Sequence, residues 1–465
     1  MKLSERTAPS TAACTSTAFS SRRRASGSPP FPRRRSQEVR PISATSSRCR
    51  RSAKSSAVSR SATPTPRTRS TNSVPTAKAS ITWSSGCRSK VLDRDSLFAL
   101  LRRRPDVEAP NLVAVDAADR LILDEAATAL SDAPAGSVAV IGDHYGALTL
   151  SAAVTHDSTG IRVFQDPLTG EQALARNAEA AGLTSCYRQC SLGQDLLEGV
   201  RVVLLQLPRS LSELAEIAEA IARHADPGVV VFAGGRNKHI STGMNEVLHR
   251  SFASVRATLG RQKSRVLIAS GPVASARSSF PVTEHIDELG LDVVSYGAAF
   301  AGSTLDIGTR YLLDFLPRVD PAAETAVDLG CGTGILAVSL ARLRPGISVI
   351  ATDQSAAAVA SASATARANG VADRVSTLRD DVMSTLPTGS CDVVLCNPPF
   401  HVGAAVHTGV ALKMFAEAGR VLRSGGEMWT VYNSHLGYRG RLQRLVGRTD
   451  VVGRNAKFTV TRSIA

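Results

Sequence analysis

Beyond about residue 91 the chain alternates short, continuously apolar runs with Ala-rich stretches whose apolar positions recur at helical spacing. Runs apolar on both faces suit central strands of a parallel sheet, and the stretches between them suit covering helices, so the pattern predicts α/β units. It occurs twice. In the second half, Ala326-Val327-Asp328-Leu329-Gly330-Cys331-Gly332-Thr333-Gly334-Ile335-Leu336 passes from a strand through a glycine turn into a helix. Ser348-Val349-Ile350-Ala351-Thr352-Asp353 is a strand ending in an acid, and Cys391-Asp392-Val393-Val394-Leu395-Cys396 leads into Asn397-Pro398-Pro399-Phe400. The first half repeats the scheme in Val138-Ala139-Val140-Ile141-Gly142-Asp143-His144-Tyr145-Gly146, in Ile161-Arg162-Val163-Phe164-Gln165-Asp166 and in Val202-Val203-Leu204-Leu205-Gln206-Leu207-Pro208-Arg209. Asp166 and Asp353 are 187 residues apart and Gln206 and Asn397 are 191 apart, so an internal duplication of a doubly wound domain is expected. The first copy lacks one glycine of the turn and carries Gln206-Leu207-Pro208-Arg209 where the second has Asn397-Pro398-Pro399-Phe400. The first copy, residues 91–275, is therefore expected to be degenerate, and the second, residues 285–465, chemically live.

Charge changes the picture at one end only. The formal net charge of +15 resides in residues 1–90, which hold 19 Lys+Arg against 2 Asp+Glu, while residues 91–465 hold 36 against 38. The folded body is near neutral, which excludes a basic nucleic-acid binder read from composition alone. Residues 1–90 are rich in Ser, Thr, Arg, Ala and Pro and have little apolar area to bury, so a disordered tail is expected. Three readings of it stay open: a basic arm for RNA phosphates, an organelle transit peptide, or an upstream start in GC-rich coding, suggested by Arg outnumbering Lys 47 to 8 over the whole chain. No apolar run approaches 18 residues, so no membrane span is expected. The eight cysteines form no C-x-x-C, and Cys186 and Cys190 can lie one helical turn apart; all eight are expected to be free thiols of a cytoplasmic protein, and no metal site is expected.

The chemistry concentrates in the second half. Asp328-x-Gly330-x-Gly332-x-Gly334 lets the backbone turn sharply, approach a ligand closely and aim helix N–H groups at it. Asp353, 19 residues after Gly334, ends the next strand, where a carboxylate accepts both hydroxyls of a ribose. Arg379-Asp380-Asp381-Val382 ends another strand, and Asp381 is the candidate acceptor for an adenine amino group. Asn397-Pro398-Pro399-Phe400 follows a fully apolar strand at the carboxyl edge, the place where open α/β sheets bind ligands. Its prolines keep the backbone out of a helix. The Asn397 oxygen and the Pro398 carbonyl can then both accept hydrogens from one planar amino group, directing the nitrogen lone pair at an electrophile, while Phe400 offers a face for stacking a heterocycle.

These residues resemble a class I S-adenosylmethionine-dependent methyltransferase, and the body as a whole is similar to the bacterial ribosomal-RNA guanine-N2 methyltransferases. The likeness extends to Phe300 and Leu305-Asp306-Ile307-Gly308-Thr309-Arg310, to Gly425-Gly426-Glu427, to His435-Leu436 and Tyr438, to Asn455-x-Lys457-Phe458, and in the first half to Gly234-Gly235-Arg236-Asn237-Lys238-His239-Ile240. The resemblance implies two tandem Rossmann-like methyltransferase domains, N-terminal degenerate and C-terminal active. It implies S-adenosylmethionine as cofactor, held by Asp328, Gly330, Gly332, Gly334, Asp353 and Asp381, and a catalytic set of Asn397, Pro398, Pro399 and Phe400. Ribosomal RNA is the implied partner of a monomeric enzyme, with the large subunit favoured over the small. Arg209, Arg236, Lys238 and His239 are candidate phosphate contacts on the first domain. Two other readings keep part of the pattern: methylation of adenine N6, cytosine N4 or a protein glutamine, and a non-catalytic RNA-binding module with a vestigial cofactor site.

Overall fold

The computed structural model describes residues 92–465 apart from 111, 274, 276 and 400–406. The tail at 1–90, the remaining thiols in it, and Phe400 lie outside the described residues. The apolar runs of the first half are strands, and further strands join them: β1 Val138–Ile141, β2 Ile161–Phe164, β3 Tyr187–Gln189, β4 Val202–Gln206, β5 Val230–Arg236, β6 Phe252–Ala257 and β7 Ser264–Pro272. A hairpin follows, β8 Val282–Ile286 and β9 Leu291–Ser295. The second half supplies β10 Thr325–Leu329, β11 Ser348–Asp353, β12 Val375–Arg379, β13 Cys391–Cys396, β14 Leu422–Asn433, β15 Arg448–Arg454 and β16 Phe458–Ile464. The two seven-stranded sheets run β3-β2-β1-β4-β5-β7-β6 and β12-β11-β10-β13-β14-β16-β15, the same order strand for strand. In both, the strand next to the edge pairs antiparallel with its neighbours on either side. The chain thus holds two Rossmann-like methyltransferase folds in tandem.

Alternation along the strands shows why their sequences carry no polar face. Ala326, Val393 and Leu395 enter one core cluster of the second sheet, and Val327, Leu329, Val394 and Cys396 enter the other. The first sheet divides Val138, Val140, Val202 and Leu204 from Ala139, Ile141, Val203 and Leu205 in the same way. Successive side chains point to opposite faces, and both faces are covered. Each buried Val, Leu or Ile contributes roughly 1.5–3 kcal/mol, so these strands set the frame on which the loops at their carboxyl ends are mounted.

The helix Ala356–Ala368 is built from Ala, Ser and Thr because β9 lies against it. The Val294 N–H donates to Thr365 Oγ1 at 3.1 Å, the Tyr296 N–H to Ser361 Oγ at 3.0 Å, and the Asp292 N–H to Asn369 Oδ1 at 3.1 Å. Larger side chains on that face would hold the strand off and leave its donors unpaired.

Strand register corrects two sequence expectations. Phe164 pairs with Ile141 as Thr352 pairs with Leu329. The equivalent of Asp353 is therefore Gln165, and Asp166 stands in the place of Gln354, one residue off the spacing read from sequence. Cys186 and Cys190 bracket strand β3 instead of sharing a helical face, and both are buried free thiols.

Burial holds several carboxyls protonated toward neutral pH: Asp119 is pushed up to about 8, and Asp328 and Glu213 to about 7. A raised folded pKa favours the proton-bound native state, and that contribution is lost as pH rises through the folded value. The histidines lowered by burial, His144, His156 and His239, act in the opposite sense only below their ordinary pKa near 6.5. The thermal midpoint should therefore fall between pH 6.5 and 8.5. Calorimetric scans in matched ionic strength check this, and a midpoint rising across that interval rejects it.

Candidate active site

The registers that end β10, β11 and β13 place Leu329 beside both Thr352 and Cys396. The next residue in each strand is Gly330, Asp353 and Asn397, so three positions far apart in sequence form one row at the carboxyl edge. The strand order reverses here, between β10 and β13, which opens a crevice for a ligand. A cleft of about 950 Å³ occupies the crevice and is walled by both domains. Gly330, Gly332, Asp353, Asp381, Asn397, Pro398 and Pro399 line it from the second domain, and Arg209, Arg236, Lys238 and His239 from the first.

The glycine turn has the left-handed backbone its composition suggests. Gly330, Gly332 and Gly334 have φ of 76°, 52° and 80°. A Cβ on Gly332 would meet open space, whereas one on Gly334 would lie 2.9 Å from Ala362 Cα. Gly332 is thus the open floor of the cleft, and Gly334 is the packing point that lets the helix Ile335–Leu343 start against its neighbour. Asp328 and Gly334 lie behind the wall and do not line the cleft. Asp328 is fully buried, and its Oδ2 accepts the Ala337 N–H at 3.0 Å, bracing the turn from beneath.

Asp353 is half-buried and receives one backbone N–H on each oxygen, from Gly332 at 3.2 Å and from Ser355 at 3.0 Å. Burial raises its carboxyl above the usual range, and those two N–H groups oppose the shift. The second carboxylate oxygens and lone pairs suit a vicinal diol. Of the paired acids after β12, Asp380 is consumed locally by Ser384 Oγ at 2.6 Å, Thr385 N at 2.9 Å and Thr385 Oγ1 at 2.8 Å. Asp381 lines the cleft and forms an ion pair with Lys413.

Asn397 is held by groups that sequence reasoning had noticed only as part of a motif. Its Nδ2 donates to Asp306 Oδ2 at 2.9 Å and to Thr309 Oγ1 at 3.0 Å. Asp306 is the N-cap of the helix Ile307–Leu313, and the same oxygen takes the Gly308 and Thr309 N–H groups at 2.9 and 3.0 Å. With its amide nitrogen committed, Asn397 leaves Oδ1 buried and without a hydrogen-bond partner among the described residues. An unpaired buried acceptor costs about 1–3 kcal/mol, so this oxygen is set for a donor that arrives with a ligand. Pro398 is buried and Pro399 exposed, both on the cleft wall. The Asp-x-Gly-Thr pattern signals a helix cap, but nothing in it points to a residue 91 positions later. Lys413 carries no motif at all.

Gly308 sits against this junction. A Cβ there would come within 3.2 Å of Asn397 Oδ1 and 3.0 Å of Asp306 Oδ2. Gly308→Ala should accordingly lower kcat about tenfold or more while cofactor affinity stays within about twofold, because a displacement near 1 Å at a reacting group is that expensive. Steady-state kinetics with calorimetric titration checks this; an unchanged kcat would show that Asn397 does not need this wall.

The cleft continues into the corresponding crevice of the first domain, where Gly142, His144, Tyr145 and Gln206 line it. His144, with φ of 57°, occupies the position of Gly332, Tyr145 hydrogen-bonds to Asp106, and the Arg103 guanidinium lies 4.6 Å from the Tyr145 ring. Gln206, the counterpart of Asn397, donates its Nε2 to the buried Asp119. Asp143 takes the N–H groups of Leu148 and Thr149, both at 2.8 Å, and so braces this turn from the loop, where the strand position used by Asp328 is Val140. Its rim keeps charge instead: burial, then Arg209, Lys238 and Arg236, hold the His239 imidazolium below its usual pKa, which places these cations close together. Asp116 lies 3.9 Å from Arg236. Among the described residues no three His, Cys, Asp or Glu side chains converge as metal ligands, and no helix is long and apolar enough to cross a membrane.

Residues 290–462 match the family described as methyltransferase small domain, and residues 90–273 match the RLMG N-terminal domain. A ribosomal RNA large subunit methyltransferase G of Streptomyces avermitilis is 37% identical over 375 residues, 78% of this chain and 96% of that protein. The namesake of Shewanella amazonensis is 33% identical, covering 78% of this chain and 95% of its own. Among solved structures, a 16S rRNA N2-guanine methyltransferase of T. thermophilus, in complex with AdoMet and guanosine, superposes with a TM-score of 0.61 at 21% identity, over 75% of this chain and 92% of that one, a likeness of fold. With both halves of the body matched and its relatives covered almost end to end, the chain belongs to the ribosomal RNA large subunit methyltransferase G family.

Proposed function

We propose that this chain transfers a methyl group from S-adenosylmethionine to the exocyclic N2 amine of a guanine in large-subunit ribosomal RNA, as a cytoplasmic monomer. The observation that carries the reading is the buried Oδ1 of Asn397, without a partner among the described residues, on the same cleft wall as the open glycine turn and Asp353. The residues fit the cofactor: Gly330 and Gly332 would face its methionine end, Asp353 its ribose and Asp381 its adenine, with Asp328 and Gly334 shaping the turn from behind. S-adenosylmethionine supplies a sulfonium-bound, electrophilic methyl group. Asn397 Oδ1 and the Pro398 carbonyl would accept the two amine hydrogens, and Phe400 would stack on the base. Gripping both hydrogens orients the nitrogen lone pair, and no strong base is needed because the proton can leave after transfer. Positioning then supplies most of the rate. Extruding the guanine costs a few kcal/mol and least where it is unpaired.

Residues 91–275 would serve as the degenerate half, positioning RNA or supporting the other, and residues 285–465 as the catalytic half. Arg209, Arg236, Lys238 and His239 would meet phosphates beside the extruded base, a local patch on a body that is neutral overall. Incubation with cofactor tritiated in its methyl group, followed by digestion of the RNA to nucleosides, tests the assignment. Label in N2-methylguanosine from large-subunit RNA is the expected result; label in N6-methyladenosine, in N4-methylcytidine or in protein would replace the acceptor.

A further inference from the structure

The first domain does more than abut the second: it holds the segment that follows Asp353. Pro167 and Ser355, equivalent positions of the two copies, form an antiparallel bridge across the domain junction. Around it the two segments exchange main-chain hydrogen bonds reciprocally. The Leu168 N–H donates to the Gln354 carbonyl at 2.9 Å, and the Ala356 N–H donates to the Asp166 carbonyl at 3.0 Å. Side chains break the symmetry in favour of the second domain. Asp166 Oδ1 accepts the Ala357 N–H at 2.9 Å and so caps the helix Ala356–Ala368 from the other domain, alongside that helix's own cap Ser355. Thr169 Oγ1 donates to Gln354 Oε1 at 2.8 Å. From β12, Arg379 Nη2 reaches the Gln165 and Asp166 carbonyls, both at 3.0 Å, and Glu171 Oε1 at 2.8 Å.

Every residue from 354 to 357 is thereby tied to the first domain, and Asp353 is the residue before them. Its Oδ1 also takes the Ser355 N–H, so its orientation depends on where Ser355 is held. We propose that Asp166, with Arg379, is a positioning residue of the cofactor site: the degenerate domain has given up its own ribose carboxylate, replaced by Gln165, and uses the following acid to fix the live one. This rests on the assignment of Asp353 to the cofactor ribose. It gives the inactive copy a task in the reaction separate from any contact with RNA, and it ties cofactor affinity to the domain junction.

Calorimetric titration of the full chain with S-adenosylmethionine tests it, without reference to turnover. Asp166→Ala should weaken binding about tenfold and speed amide hydrogen exchange at residues 355–357 in the ligand-free protein. Asp166→Asn retains the side-chain acceptor without the charge and should restore most of the affinity. Asp93→Ala, which removes the N-cap of the outer helix Arg94–Leu100 in the same domain, should lower stability and leave affinity unchanged. Arg379→Gln provides a second approach to the junction should Asp166→Ala fail to fold, and should weaken binding in the same direction. A wild-type chain that binds no cofactor would overturn the functional reading itself. A wild type that binds, with Asp166→Ala or Arg379→Gln binding equally well, overturns only the role given to the junction.

Discussion

Replacing Asn397 with alanine should lower kcat for guanine methylation by about three orders of magnitude while the dissociation constant for S-adenosylmethionine moves by less than about threefold. Loss of one preorganised hydrogen-bonding group at a reacting centre typically removes 10²–10³ in rate, and here the same group also sets the direction of the amine. The separation from cofactor binding follows from the geometry. Asn397 contacts Asp306 and Thr309, and neither touches Gly332 or Asp353 through a hydrogen bond. Asn397→Asp is the sharper control. It keeps the shape but turns an oxygen toward Asp306 where a donor stood, so two carboxyls would share one site and one of them must take a proton. That variant should be nearly as slow as alanine at pH 8 and should recover part of its rate as pH falls. Single-turnover kinetics on RNA together with calorimetry measure both quantities, and an equal loss of cofactor affinity would remove Asn397 from the role given to it.

The fold was legible because strand burial leaves a strong trace. The doubled pattern of apolar run, glycine turn and apolar run gave the duplication and the order of elements in each copy. What sequence spacing could not supply was register. A spacing of 187 residues between Asp166 and Asp353 suggested equivalence, whereas pairing of Phe164 with Ile141 and of Thr352 with Leu329 shifts the match by one. One residue is enough to move a side chain to another role, and it turned an apparent relic of a ribose site into a cap across a domain junction. The site was legible in part for the same reason. Gly330, Asp353 and Asn397 each end a strand, and strand ends in such sheets converge. Asp306, Thr309 and Lys413 lie on helices or at helix starts, and their contacts with Asn397 and Asp381 span 91, 88 and 32 residues. Contacts of that kind follow from how helices pack on the sheet, which composition and spacing do not encode. Asp328 shows the converse: a motif position that faces the helix behind it and leaves the ligand side to the glycines.

Asp353→Ala should produce the opposite kinetic pattern from the change at Asn397. Hydrogen bonds to a charged acceptor are worth about 1.5–3 kcal/mol each, so losing a carboxylate that grips a diol should raise the cofactor dissociation constant by about two to three orders of magnitude. Asp353 also takes the Gly332 N–H, and its removal frees the floor of the turn, which adds to the loss. Once cofactor saturates the variant, kcat should stay within about tenfold of the parent, because the amine clamp at Asn397 is untouched. Asp353→Asn can accept from one hydroxyl but presents an N–H to the Gly332 donor or to the second hydroxyl, and should fall between the two. Binding should also weaken toward acid pH in the parent alone: burial raises the Asp353 carboxyl, and a protonated acid cannot accept from both hydroxyls. Titrations at pH 5.5 and 8 on parent and alanine variant separate these terms. A variant that binds as tightly as the parent would place the ribose elsewhere in the cleft and leave the glycine turn without its partner.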